Sequence, residues 1–280
     1  FTTDNTAGVQ QRVFPTMVVL FGFTATGGKS AMSQSGTYDP RMLVHGEQGI
    51  TLFREMPIAG EVETVDEIVG VYDKGKGAVI ATKTTGTLVA DGQPLYEATA
   101  SVFITGEGGF GGDRGPSGKA NVAPDRAPDH EVTMQTRPDQ ALLYRLCGDK
   151  NPLHSDKQFS DVGGFPKPIL HGLCTYGFTG RALLHTLCGS DPSRFTGMDA
   201  RFSSPVLPGE ALIVHPPAQP VGLGGELLAE DREQLGVHQS GGQRRQDPPL
   251  ELGPGDRLAV LAGAFVARRR ATDVGRRDHR

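Results

Sequence analysis

Apolar and polar positions along the 280-residue chain fall into segments of different period. Four stretches, 49–55, 61–72, 78–90 and 95–105, are rich in Val, Ile and Thr and bounded by turn residues, which predicts β-strands. The turns between them are Asp73-Lys74-Gly75-Lys76-Gly77 and Asp91-Gly92-Gln93-Pro94, where glycine can adopt positive φ. Ahead of them, residues 14–20 place Pro15 at an early helical position, where its missing N–H costs nothing. That segment soon meets Gly27-Gly28, so its helix is short or broken. A helix followed by an antiparallel meander is an α+β half, assigned to residues 1–107.

Residues 108–130 are rich in glycine and proline, lack periodicity and read as a linker. The second half, 131–280, opens on a short helix near 141–145 with Asp139 as its expected N-cap. Residues 168–187 form a mostly apolar segment, about 30 Å long if fully helical. Its Leu170, Leu173, Phe178, Leu183 and Leu184 surround the axis, and such a helix requires wrapping, as by a curved sheet. A weak repeat links residues 53–61 to 202–210: each copy has a phenylalanine, a proline, an aliphatic residue and Gly-Glu ahead of a new strand. Two copies of one helix-plus-sheet unit is the simplest architecture. After residue 215 the pattern breaks; 216–280 read as divergent or disordered, with strand character returning only at 258–266.

Composition narrows the class. A formal net charge of -4 gives no electrostatic reason to expect a nucleic-acid partner. Cys147, Cys174 and Cys188 are odd in number and form no CxxC pair, which points to free thiols in a reducing compartment. The apolar run 17–23 is too short to cross a bilayer. The expectation is a soluble intracellular protein, not secreted, whose Phe1 start reflects trimming from a longer chain.

The chemistry concentrates between residues 144 and 177. Asp149, Asn151 and His154 crowd one turn, Gly148-Asp149-Lys150-Asn151-Pro152-Leu153-His154, and a carboxylate with an imidazole on one turn makes an acid–base pair. Pro166, Pro168 and His171-Gly172 then open the long helix, where the bare Gly172 N–H is offered to a developing oxyanion. In isolation, Asp-x-Asn-Pro is also a plain turn with side-chain capping. His171 reads as a structural helix-start residue, with a catalytic role as the alternative, and Tyr144 as packing beside the site, with an acid role as the alternative. His45 is open between a hydrogen-bonded core histidine and a substrate contact. A metal held by Asp149, His154 and His171 is conceivable, but no zinc-type ligand spacing appears, and none is expected. The run 108–112 is either a linker or a backbone cradle for phosphates.

Residues 144–154 and Lys167-Pro168-Ile169-Leu170-His171-Gly172-Leu173-Cys174 closely resemble the hydratase 2 motif of MaoC-like (R)-specific enoyl-CoA hydratases. The likeness extends to 43–48, 108–112 and 200–202, and covers roughly residues 10–214. It implies a double hotdog, two units of a long helix wrapped by an antiparallel sheet; this chain departs from that pattern after His215, so its second unit is expected to be incomplete at its C-terminal end. It also implies reversible hydration of trans-2-enoyl-CoA to (3R)-3-hydroxyacyl-CoA. No cofactor is implied beyond the CoA of the acyl-CoA substrate, and a homodimer in the cytoplasm or peroxisomal matrix is the expected setting. Carried over by position, Asp149 and His154 are the acid–base pair, Asn151 helps hold water or substrate, and Gly172 is the oxyanion donor. Substrate contacts fall on His45, Gly46, Lys74, Lys150, Pro152, Leu153 and Phe202, and the first half supplies an acyl-chain pocket. An acyl-thioester binding protein and a hotdog thioesterase are the alternatives.

Overall fold

The structure, a computed structural model, describes residues 7–21, 31–116 and 128–216, and the backbone of 257–260. Its main sheet runs in the order β2-β3-β4-β1-β6: β1 (Leu43–Leu52), β2 (Val62–Asp73), β3 (Gly77–Leu88), β4 (Gln93–Thr105) and β6 (Gly197–Arg201). All of its neighbours pair antiparallel. The predicted meander is therefore present. β1, however, begins six residues earlier than its expected start at 49, because a register shift between His45 and Glu47 disrupts the two-residue period. β6 comes from the second half yet pairs with β1, which joins the two units through one sheet.

A second sheet holds β5 (Val132–Gln135), β7 (Ala211–Val214) and β8 (Arg257–Val260). β7 and β8 run parallel, which departs from the expected all-antiparallel unit. Residues 217–256 and 261–280, expected to be divergent, lie largely outside the described residues, as do 117–127 of the expected linker. Both copies of the weak repeat are irregular segments that feed a strand, β2 and β7 respectively.

Helices are shorter than their apolar runs. In the first half Pro15–Leu20 is a six-residue 3-10 helix, and residues 22–30 are outside the described set. The expected short helix is thus present at 15–20, and the long helix that the resemblance implies for this half would fall on residues outside the described set. α1 (Gln140–Tyr144) follows Asp139 as predicted, but the Asp139 carboxylate accepts from Arg137 Nε at 2.7 Å and makes no cap bond. α2 (Lys157–Val162), not foreseen, is capped by Asp156, which accepts from Gln158 N at 2.8 Å and Phe159 N at 3.3 Å. α3 (Gly172–Thr186) spans 15 residues, about 22 Å, and starts four residues later than expected. His171 is extended (φ −57°, ψ 132°), so 168–171 lead into the helix without joining it.

α3 buries nearly all round: Leu173, Tyr176, Ala182, Leu183 and Leu184 are among its buried residues, as its evenly distributed apolar positions require. The Tyr176 hydroxyl donates to Met198 O at 2.5 Å, pinning the helix to β6. At Gly180 an added Cβ would sit 2.5 Å from Thr16 Cγ2, so glycine permits the close approach to the 3-10 helix. Leu184 is fully buried in this core. Leu184→Ala is expected to lower unfolding free energy by about 2–5 kcal/mol, read from urea denaturation.

Candidate active site

Short-range hydrogen bonds build the catalytic-looking turn. Gly148 adopts φ 115°, a conformation that turns the chain out of the preceding 3-10 helix, Arg145–Cys147. The Asp149 carboxylate accepts from Asn151 N at 3.1 Å, and Asn151 Oδ1 accepts from Leu153 N at 3.0 Å. Asn151 thereby caps the 3-10 helix Pro152–His154, whose proline lies at its first position. Arg145 Nη1 donates to Lys150 O at 2.6 Å and braces the turn from outside.

His154 is 9% exposed, and its Nδ1 lies 2.9 Å from Ile169 O. A carbonyl only accepts, so Nδ1 carries the hydrogen and Nε2 keeps its lone pair. Burial pushes the His154 pKa below 6.5, opposed by the Ile169 hydrogen bond and by Asp149 and assisted by Arg145. Asp149, His154 and His171 each present a polar atom, all within 4.8 Å of one another. One water with two hydrogen bonds of ~2.8 Å can bridge such a span.

The long segment 165–171 returns the chain to this turn. His171, 1% exposed, stacks on His154 with ring centroids 3.7 Å apart and 27° between planes. Its Nε2 donates to Asp149 O at 3.2 Å, and Tyr144 packs on its ring at 4.8 Å. Burial, assisted by His154, lowers the His171 pKa to about 4. Gly172 is the first residue of α3, so its N–H has no carbonyl one turn back to bond. Asp149, His154 and His171 bring their ligand atoms close enough together to hold a metal ion, although each ring commits one nitrogen to a carbonyl.

Asp149, His154 and Gly172 open on a cavity of about 740 Å³. Of the expected site residues, Asp149, Asn151, His154, Gly172, His45, Leu153 and Phe202 line it. His45 donates from Nε2 to Glu47 O at 2.9 Å, meets Phe202 edge-on at 5.1 Å, and has its pKa lowered to about 4 by burial. Gly46, Lys74, Lys150 and Pro152 do not line the cavity. Gly46 O instead accepts from Phe202 N at 2.8 Å, which sets the position of that ring. The Lys150 and Pro152 side chains are exposed. Lys74 Nζ is taken by the carbonyls of Arg114 and Pro116.

The phosphate-cradle reading of 108–112 also changes. Gly109 N and Gly111 N each donate at 2.8 Å to the Asp73 carboxylate, joined by Gly75 N at 2.7 Å. These amides are engaged internally and hold the loop to the β2–β3 turn. They also lower the Asp73 pKa, the Gly109 amide first. A depressed carboxylate stabilises the fold above its unfolded pKa of ~3.9, and that stability is lost as pH falls through the lower folded value. Asp73→Asn is therefore expected to lower Tm at pH 7, with the gap from wild type closing as melts are repeated below pH 4.

Most of the remaining lining comes from the first half, including Val18, Val19, Ala98, Ala100 and Val102. The alternation 98-100-102 on β4 was a usable signal, since same-face residues on a strand recur every second position. His171 gave no such signal, because its contact with His154 is made only in space.

A cavity lined by a carboxylate, a neutral imidazole and a helix-start glycine, with apolar residues from both halves beside them, suits acid–base chemistry. Comparison with known proteins agrees: residues 4–106 match the MFE-2 hydratase 2 N-terminal domain and 119–216 the MaoC like domain. The chain is 45% identical over 215 residues to 3-hydroxyacyl-thioester dehydratase Y of Mycobacterium tuberculosis, covering 76% of this chain and 73% of the relative. It is 47% identical over 177 residues to the probable enoyl-CoA hydratase 2 of Dictyostelium discoideum, covering 62% of this chain and 60% of that one. Among solved structures, the MaoC-like dehydratase from Phytophthora Capsici superposes with a TM-score of 0.64 at 32% identity, covering 72% of each chain. The full-length peroxisomal multifunctional enzyme type 2 of Drosophila melanogaster gives 0.61 at 37% identity, covering 75% of this chain and 36% of that one. The chain belongs to the MaoC-like, hydratase 2 family of hydro-lyases, with the family's α+β double-hotdog fold. No helix among the described residues is long and apolar enough to cross a membrane.

Proposed function

We propose that the chain catalyses reversible hydration of trans-2-enoyl-CoA to (3R)-3-hydroxyacyl-CoA. The observation that carries this reading is the meeting of Asp149, His154 and Gly172 at one cavity that is otherwise lined by many apolar residues, among them Val18, Val19, Leu43 and Val102. A water held between the Asp149 carboxylate and His154 Nε2 attacks C3 of the enoyl thioester and passes one proton to the pair. The electrons of the double bond move to the thioester oxygen, where the Gly172 amide stabilises the enolate. The proton then returns to C2 on the same face, so that the net change is addition of one water and the enzyme is restored. Asn151 Oδ1 is held by Leu153 N–H, which leaves its amide nitrogen to orient water or substrate. Chemistry of this kind needs no cofactor besides the CoA that the substrate carries, and the first half receives the acyl chain.

Loss of enoyl absorbance on mixing with enoyl-CoAs of several chain lengths, followed by chiral analysis of the product, tests the reading. Release of free thiol instead would replace it with thioester hydrolysis; binding without any change at the enoyl band would leave only an acyl-thioester binder. The pH profile offers a further check. His154 must be neutral to accept a proton, and burial lowers its pKa below 6.5. The acid limb of kcat/KM is therefore expected below pH 6.5, with activity falling as His154 becomes protonated.

A further inference from the structure

His171 does not line the cavity, yet it contacts both members of the acid–base pair. Its Nε2–H holds the backbone carbonyl of Asp149 at 3.2 Å, and its face covers the His154 ring at 3.7 Å. Tyr144 packs on the His171 ring, with centroids 4.8 Å apart. The next peptide in the chain carries the Gly172 N–H. One residue thus ties the Asp149 turn, the His154 ring and the proposed oxyanion donor to a single point.

This arrangement has a cost. With Nε2 donating, Nδ1 is left as an acceptor, and it is buried without a hydrogen-bond partner among the described residues. His171 makes no side-chain cap bond to the start of α3 that would satisfy it. Burying an unsatisfied nitrogen destabilises a fold, so packing alone would be better served by a phenylalanine of similar shape. A residue kept at such a cost calls for a use other than filling space.

We propose that His171 is a positioning residue for the hydration, fixing the separation of Asp149, His154 and the Gly172 amide without touching substrate. The inference rests on the reading of the site given above. Displacements of about 1 Å can cost up to ~10²-fold in rate, so a lost tether acts mainly on kcat.

His171→Phe retains a ring face for His154 and removes both nitrogens. It is expected to melt at or above the wild-type temperature, to keep KM within about 2-fold, and to lose roughly 10-fold or more in kcat. His171→Gln keeps an amide hydrogen for the Asp149 carbonyl and should recover part of that kcat. Full kcat in His171→Phe overturns the proposal. So does a marked fall in its melting temperature with activity lost only in step with the folded fraction, the signature of a packing role. A wild-type chain inactive on every enoyl-CoA overturns the reading of the site and this inference together, whereas an active wild type with an unimpaired His171→Phe overturns this inference alone.

Discussion

Asp149→Asn is expected to slow hydration of a 2-enoyl-CoA by at least about 10²-fold while leaving the fold intact. Asparagine has nearly the shape of aspartate and retains an oxygen for the Asn151 N–H, so the local turn survives. What disappears is the negative charge and the capacity to take up a proton. His154→Gln is expected to cost a similar factor, because Nε2 is the lone pair the pair depends on, whereas the bond to Ile169 O is one that an amide N–H can also make. Both proteins should be assayed for enoyl absorbance beside thermal melts. Near-native turnover in both, with unchanged melting, would remove the acid–base pair from the mechanism.

Gly172→Pro isolates the second element. Proline is accommodated at the first helical position, where no intrahelical bond is lost. The preceding residue must be extended, and His171 already is, at φ −57° and ψ 132°. A Cβ at Gly172 would rest 3.4 Å from the Phe202 ring, an ordinary contact. The substitution removes the amide hydrogen and sets the ring Cδ in its place, so donor loss and bulk act together at the oxyanion position and kcat is expected to fall by at least about 10²–10³-fold. Gly172→Ala adds the same Cβ and keeps the hydrogen, so it should stay within a few-fold of wild type. Equal losses in the two variants would attribute the effect to crowding against Phe202 and dismiss the amide as oxyanion donor.

The site was legible in the sequence to the extent that its bonds are local. Asp149, Asn151 and His154 lie within six residues, and two of the bonds that shape their turn join residues two apart. Residue type and spacing are enough to read such a feature. The His171-Gly172 step was equally visible as a helix opening, although α3 begins later than its apolar run suggested. Lys74 and the glycines of 108–112 show where this approach fails. Both belong to the same hairpin region, and their polar groups are taken by partners 36 to 42 residues away. A motif records which groups are present; it does not record which of them the fold has already engaged.

Strands were legible for the same reason, and they failed where the period broke. β2, β3 and β4 follow the Val/Ile/Thr runs closely, whereas the irregularity after His45 concealed the start of β1. The parallel pairing of β7 with β8 joins segments distant in the chain, such as Ala211 with Arg257, which no local pattern encodes.

The chain's residue order determined the family motif, the meander of the first half and the acid–base turn, since each depends on contacts a few residues long. Tertiary structure alone decided which nitrogen of His154 stays open, that His171 lies against it, and which strand residues of the first half wall the cavity. Those outcomes depend on a carbonyl 15 residues away, a ring 17 residues away and a sheet shared between halves. Only packing the whole chain brings such partners within hydrogen-bonding or van der Waals range.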